Sequence, residues 1–212
     1  MFIKKIVVGN FATNCYLVKA QSNQGLIIDP GADGEQILQL IAENELIVKG
    51  IILTHGHFDH IGAVDVIRRE TGAEVMIHQG DQEALVNPQR NLSVFGGEGL
   101  TVQAADRLLS DGELLEIGPN LSLAVLFTPG HSPGGICLYH QQAGVLFSGD
   151  TIFAMGIGRT DFPYSEQEQL MASIRDKLLD LPKETRVYSG HGPETTIGEF
   201  EDYYRSVLLP RL

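Results

Sequence analysis

Short apolar runs broken by glycine, asparagine and serine open the chain. β-Branched and aromatic residues dominate 2–8, 14–19 and 25–29, which predicts three strands folded as a meander. Ile37, Leu38, Leu40 and Ile41 then recur at helical spacing within 33–44, so a helix follows. Residues 46–53 are almost unbroken in apolar character and predict a buried strand. Ile61, Val64, Val66 and Ile67 resume the helical period until Thr71-Gly72 stops it, and 73–78 reads as another strand. Periodicity fades over 79–105, where Gly96-Gly97-Glu98-Gly99 marks a loop placed to cover a site. Strands return at 114–117, 121–127, 135–140 and 144–148. A helix over 165–179, a strand over 185–189 and a closing helix over 197–209 complete the pattern. No linker, repeat or low-complexity segment divides it, so residues 1–212 are expected to form one layered α/β domain, sheets inside and helices outside.

Composition narrows the partners more than the fold. A chain of 212 residues, 43% hydrophobic with 24 glycines and 9 prolines, reads as globular and turn-rich. Its net charge of −12 argues against nucleic acid and against an anionic membrane surface as partners. No stretch approaches the roughly 18 apolar residues of a membrane span, and residues 1–10 lack the apolar core of a signal peptide. A cytoplasmic protein is therefore expected. Cys15 and Cys137 lie in apolar strand-like contexts and read as buried free thiols.

Chemistry concentrates where the strand at 46–53 ends. In Thr54-His55-Gly56-His57-Phe58-Asp59-His60, four metal-ligand side chains fall within six residues. Neither helix nor strand packing asks for such a cluster. Imidazole and carboxylate are the ligands that hold borderline divalent metals in reactive sites. Alternate residues at a strand end point the same way, so His55 and His57 can reach one metal while Asp59 and His60, further round the turn, face a second. His131, Asp150 and His191 each follow an apolar strand in a turn of small residues, the setting in which rigid scaffolds present active-site groups. These loops converge if their strands end on one edge.

The run His55-x-His57-x-Asp59-His60, followed by His131, Asp150 and His191, resembles the metallo-β-lactamase superfamily of binuclear hydrolases. The resemblance spans the chain from Asn14-Cys15-Tyr16 to Gly190-His191-Gly192-Pro193. It implies a four-layer αβ/βα sandwich with the metal site at the sheet edge. It further implies two divalent ions, zinc first, with iron or manganese also suited to such ligands. His55, His57 and His131 match the first ion's ligands, Asp59, His60 and His191 the second's, and Asp150 the bridge. Thr128-Pro129-Gly130-His131-Ser132-Pro133-Gly134 and Gly158-Arg159-Thr160-Asp161-Phe162 look most like hydroxyacylglutathione hydrolases (glyoxalase II). The implied partner is a small-molecule thioester such as S-lactoylglutathione. Ions sharing a water would lower its pKa to about 7, and the hydroxide would attack the carbonyl. Asp59 is the expected catalytic residue, orienting that hydroxide and taking its proton.

Departures and rivals bound this expectation. Longer glyoxalase II enzymes follow the last metal histidine with Glu-Tyr and a helical C-terminal domain that contacts glutathione. Here Gly192 and Pro193 follow His191 and the sequence ends at Leu212, which predicts a short form with the acyl group and thiol carrier unspecified. A mononuclear iron persulfide dioxygenase, a lactonase or other ester hydrolase, and a non-catalytic metal-stabilised binding protein are the alternatives. A secreted β-lactamase fits poorly, because Asp150 stands where such enzymes commonly carry a thiolate; nucleases of the superfamily bring a basic surface. His78 and His140 read as core or surface histidines, and Arg159 with Asp161 as a structural ion pair or groups near the site. Oligomeric state is not legible.

Overall fold

Alternation along each strand sorts side chains into two layers, and the computed structural model, describing residues 1–97 and 99–209, shows where each layer goes. Strands β1 (Phe2–Val8), β2 (Thr13–Lys19) and β3 (Gln24–Ile28) form the expected antiparallel meander. Helix α1 (Gly34–Glu43) leads to β4 (Ile47–Leu53), which pairs parallel with β3. The helix predicted from Ile61 divides into a single turn, α2 (Phe58–Ile61), and α3 (Val64–Thr71), with Gly62 and Ala63 between. Strand β5 (Glu74–His78) and an unpredicted β6 (Arg107–Leu109) complete a sheet of order β1-β2-β3-β4-β5-β6. The weakly patterned segment folds into tight 3-10 turns at Gln79–Leu85 and Ser93–Gly96; Glu98 of the predicted loop lies outside the described residues.

The second sheet follows the same logic. Strands β7 (Leu114–Gly118), β8 (Leu121–Phe127), β9 (Ile136–His140) and β10 (Val145–Gly149) form an antiparallel ladder. A small hairpin of β11 (Ile152–Phe153) and β12 (Gly156–Ile157), unpredicted, follows. Helix α4 (Gln167–Ser173) widens into a π-type turn, β13 (Arg186–Ser189) pairs parallel with β10, and short β14 (Thr195–Thr196) lies beside it. Helix α5 (Ile197–Tyr203) closes with another wide turn, its start fixed by reciprocal bonds between Thr196 and Glu199.

Layering follows from which face each residue takes. On β2, Cys15 and Leu17 face α1 and α3, whereas Tyr16 and Val18 face the other sheet. Ile51 and Leu53 against Ile52, and Val75 and Ile77 against Met76, repeat that division. Leu123, Val125, Leu138 and Phe147 supply the second sheet's half of the inner core, while Cys137, Leu146 and Val187 pack outward on α4 and α5. The result is the α/β four-layer sandwich that the resemblance implied. Both cysteines are buried and unpaired. Among the described residues no helix is long and apolar enough to cross a membrane.

Two features place the site. Because β8 and β10 each run antiparallel to β9, and β13 runs parallel to β10, all three end on the same edge of their sheet. The start of β2 is stitched to that edge: Asn14 N–H donates to Gly190 O at 2.7 Å, the Asn14 side chain to Ser189 O at 2.9 Å, and Tyr16 O–H to Ser189 O at 2.6 Å. Phe147 is fully buried between the sheets, edge-on to Tyr16 and tilted against Tyr188. Phe147→Ala is expected to cost about 3–5 kcal/mol. Equilibrium unfolding in guanidinium checks it, and an unchanged midpoint would remove Phe147 from the structural core.

Candidate metal centre

Strand β4 stops at Leu53, and the chain then turns sharply through the histidine cluster. Thr54 anchors the turn: its N–H and hydroxyl donate to the two oxygens of buried Asp29, at 2.8 and 2.6 Å. Past it, the rings of His55 and His57 stand 4.6 Å apart, and His131, arriving from the turn after β8, lies 5.0 Å from the first and 4.6 Å from the second. One nitrogen from each falls within a 4.8 Å group. Asp59, His60 and His191 offer a second group of the same size, with His191 Nε2 3.3 Å from Asp59 Oδ2 and 3.3 Å from His60 Nε2.

Asp150 lies between the two groups. Its Oδ1 is 3.5 Å from His60 Nε2, and its Oδ2 is 3.4 Å from His191 Nε2 and 3.6 Å from His131 Nε2. Close approach here demands Gly190, since a Cβ at that position would sit 2.1 Å from Asp150 Oδ1. All seven side chains singled out in the sequence thus meet at one edge. His78, stacked on Phe127, and His140, donating to Asn120 O, are buried elsewhere. Arg159 and Asp161 form an exposed two-pronged ion pair at 2.8 and 2.7 Å.

Partners on the outer nitrogens turn the inner ones toward the centre. His60 Nδ1 donates to Asp29 Oδ2 at 3.0 Å, His131 Nδ1 to Arg159 O at 2.8 Å, and His191 Nδ1 to Phe11 O at 3.1 Å. His55 Nε2, His131 Nε2 and Asp150 Oδ1 are buried and have no hydrogen-bond partner. Unpaired buried acceptors converging this closely are what a cation requires, so the residues present fit divalent metal.

Electrostatics divides the two groups. Burial, reinforced by neighbouring imidazoles, pushes His55 well below its ordinary range and His57 down to about 3, so both present neutral lone pairs. His60 and His191 are also opposed by burial, but the carboxylates around them prevail and raise them to about 9 and about 10. Burial works against the charged forms of Asp59 and Asp150 too, and the surrounding histidines nonetheless lower both.

Two carboxylates that support the centre were not singled out from the sequence. Asp29 takes three hydrogen bonds and aims His60; its one signal is a carboxylate at the end of an apolar strand, the context shared by Asp150. Asp81, in the weakly patterned segment, accepts from Gly56 N–H at 2.9 Å with one oxygen and from Gly134 N–H at 2.6 Å with the other. It therefore clamps the loop carrying His55 and His57 to the loop carrying His131.

Comparison with known proteins places the chain in a family. The model of the metallo-beta-lactamase superfamily matches residues 8–191, a span that contains all seven side chains. The probable metallo-hydrolase YqgX of Bacillus subtilis is 45% identical over 92% of this chain and 92% of its own length. Hydroxyacylglutathione hydrolase GloC of Haemophilus influenzae is 37% identical over 94% of each. Among solved structures, BLEG-1 B3 metallo-beta-lactamase superposes with a TM-score of 0.91 at 41% identity, covering 95% of this chain and 97% of that one. TTHA1623 in a di-iron-bound form gives 0.84 at 34% identity, over 96% and 97%.

Two outcomes follow for the metal-free protein. Carboxylates around His60 and His191 favour an extra proton on this pair, shared between Nε2 atoms 3.3 Å apart; the stability it contributes is complete below the ordinary histidine pKa of about 6.5 and is lost as pH rises through the pair's raised range. Metal must displace that proton, so calorimetry in buffers of different ionisation enthalpy should record proton release at pH 7.5 and tighter binding as pH rises. Binding independent of pH from 6 to 9 would refute the protonated pair. Asp29→Asn, which sets an amide against three donors, should weaken metal retention against a chelator by about 10–100-fold.

Proposed function

The chain belongs to the metallo-beta-lactamase superfamily, and on that footing we propose that it is a two-metal hydrolase of glutathione thioesters such as S-lactoylglutathione. The observation that carries the hydrolytic reading is the pair of three-residue ligand groups with Asp150 between them. Likeness to the Haemophilus influenzae hydroxyacylglutathione hydrolase supports the thioester. In this reading His55, His57 and His131 would hold one ion and Asp59, His60 and His191 the other, with Asp150 available to both. Zinc is the proposed metal; iron is the alternative that the di-iron form of TTHA1623 favours, and manganese suits the same ligands.

Divalent ions bound there supply Lewis acidity, lowering the pKa of water to about 7 and stabilising charge on the carbonyl oxygen. The chain's own residues do the positioning. Asp59 accepts from Thr13 Oγ1 at 3.1 Å through Oδ2, which leaves Oδ1 to orient the attacking water and relay its proton. Attack forms the C–O bond and breaks the C–S bond. The departing thiolate is the base of a thiol with pKa of about 8.5, so no strong acid is needed to expel it.

A second reading, hydrolysis of a β-lactam amide, is favoured by the 41% identity to BLEG-1. A panel of S-lactoylglutathione, other acyl thioesters and β-lactams, offered to metal-loaded protein, separates them. Thioester turnover is expected, with Asp59→Asn lowering kcat by at least about 100-fold. Turnover of β-lactams alone would favour the second reading. Oxygen uptake with glutathione persulfide, and no hydrolysis, would overturn both.

A further inference from the structure

The chain has nine phenylalanines and no tryptophan, and it spends most of them outside the core. Phe127, Phe147 and Phe200 lie in or against the apolar clusters, and Phe2 stands at the start of β1. The other five, Phe11, Phe58, Phe95, Phe153 and Phe162, belong to none of the clusters, and all but Phe95 stand beside the histidine centre or pack on a ring that does. Phe11, 58% exposed in the turn between β1 and β2, stands edge-on to Phe58 at 5.0 Å. Its carbonyl is the oxygen that holds His191, so this turn cannot drift from the site. Phe153 reaches the same histidine from the β11–β12 hairpin, ring centroids 6.2 Å apart, and Met155 at the hairpin tip is 78% exposed. Phe95, 73% exposed, precedes Gly96, where a Cβ would lie 3.9 Å from Phe58 Cζ.

The opposite flank differs in kind. Phe162 stands 5.9 Å from His57 and 6.4 Å from His131, and the Arg159 guanidinium covers it at 4.2 Å from the ring centroid. One side of the centre is therefore aromatic without a cation over its rings, and the other carries one. Wet aromatic surface at the mouth of a polar site is the mark of a groove that a ligand's apolar part covers.

We propose that Phe11, Phe58 and Phe153 form a subsite for an apolar acyl group, while Phe162 and Arg159 face the carrier. The inference rests on the thioester reading. A glutathione carrier is peptidic and polar, which suits the charged Arg159–Asp161 flank and leaves the acyl group to the uncharged aromatic one. Lactoyl, with its hydroxyl, would then be a poor occupant compared with an alkyl or aryl acyl group of similar or larger size.

Two series test this and keep it apart from the hydrolase reading. S-Alkylglutathiones from methyl to hexyl are thioethers, so their binding to the purified full chain can be followed by calorimetry without turnover. Each added methylene should tighten binding by up to about fourfold, the equivalent of about 0.8 kcal/mol per buried CH₂. S-Acylglutathiones of the same lengths should show the same slope in kcat/KM. Phe11→Ala, on an exposed turn, and Phe153→Ala should flatten both slopes, whereas Arg159→Ala should weaken every ligand and leave the slope intact. A flat slope in the wild type, or one that both phenylalanine variants preserve, overturns the subsite. Hydrolysis at equal kcat/KM across the series upholds the hydrolase and sinks the subsite. A binding slope with no thioester hydrolysed does the reverse.

Discussion

Seven ionisable side chains crowded at one edge of a sandwich must have their outer atoms held before their inner atoms can be left bare. That constraint governs the surrounding structure. An unpaired buried polar atom is costly, and a centre that needs several of them must confine them to the side facing the ligand. His60, His131 and His191 meet this need alike: one ring nitrogen is bonded to the scaffold and the other turned inward. Asp29 and Asp81 extend the pattern outward by fixing the loops on which the histidines ride.

The sandwich serves this arrangement more than it serves its own compactness. The first sheet contributes the cluster after β4, and the second contributes the turns after β8, β10 and β13. Neither sheet alone carries a complete second group, because Asp59 and His60 come from one and His191 from the other. Bonds from Asn14 and Tyr16 to Ser189 and Gly190 hold the sheets together beside that junction. Separation of the sheets would part His131, Asp150 and His191 from the ligands after β4, so the integrity of the interface and the geometry of the centre are one property.

Sequence patterning reached the layers and the ligands for different reasons. Strands such as β2, β4 and β8 are buried on one or both faces over seven residues, enough for their periodicity to show. The ligands were legible because histidine density has no packing explanation. By contrast β11, β12 and β14 are two residues each and exist only through their pairing partners, which no local window contains. The break at Gly62 and Ala63 was hidden because apolar spacing runs across it. Asp81 escaped for a related reason. Its role is a pair of backbone contacts, 25 residues back to Gly56 and 53 ahead to Gly134, and nothing in its neighbourhood announces either.

Two of the three oriented histidines are held by main-chain oxygens, those of Phe11 and Arg159, and the third by a side chain. A carbonyl survives replacement of the residue that bears it, whereas Asp29 does not. The side chains of Phe11 and Arg159 pack on Phe58 and Phe162 beside the centre while their backbones secure it. Such a division uncouples inheritance of the reactive core from inheritance of its preferences. A lineage can exchange the phenyl ring or the guanidinium for other chemistry and keep the ligands aimed, which makes this edge a place where new substrates can be tried at little risk to the metal.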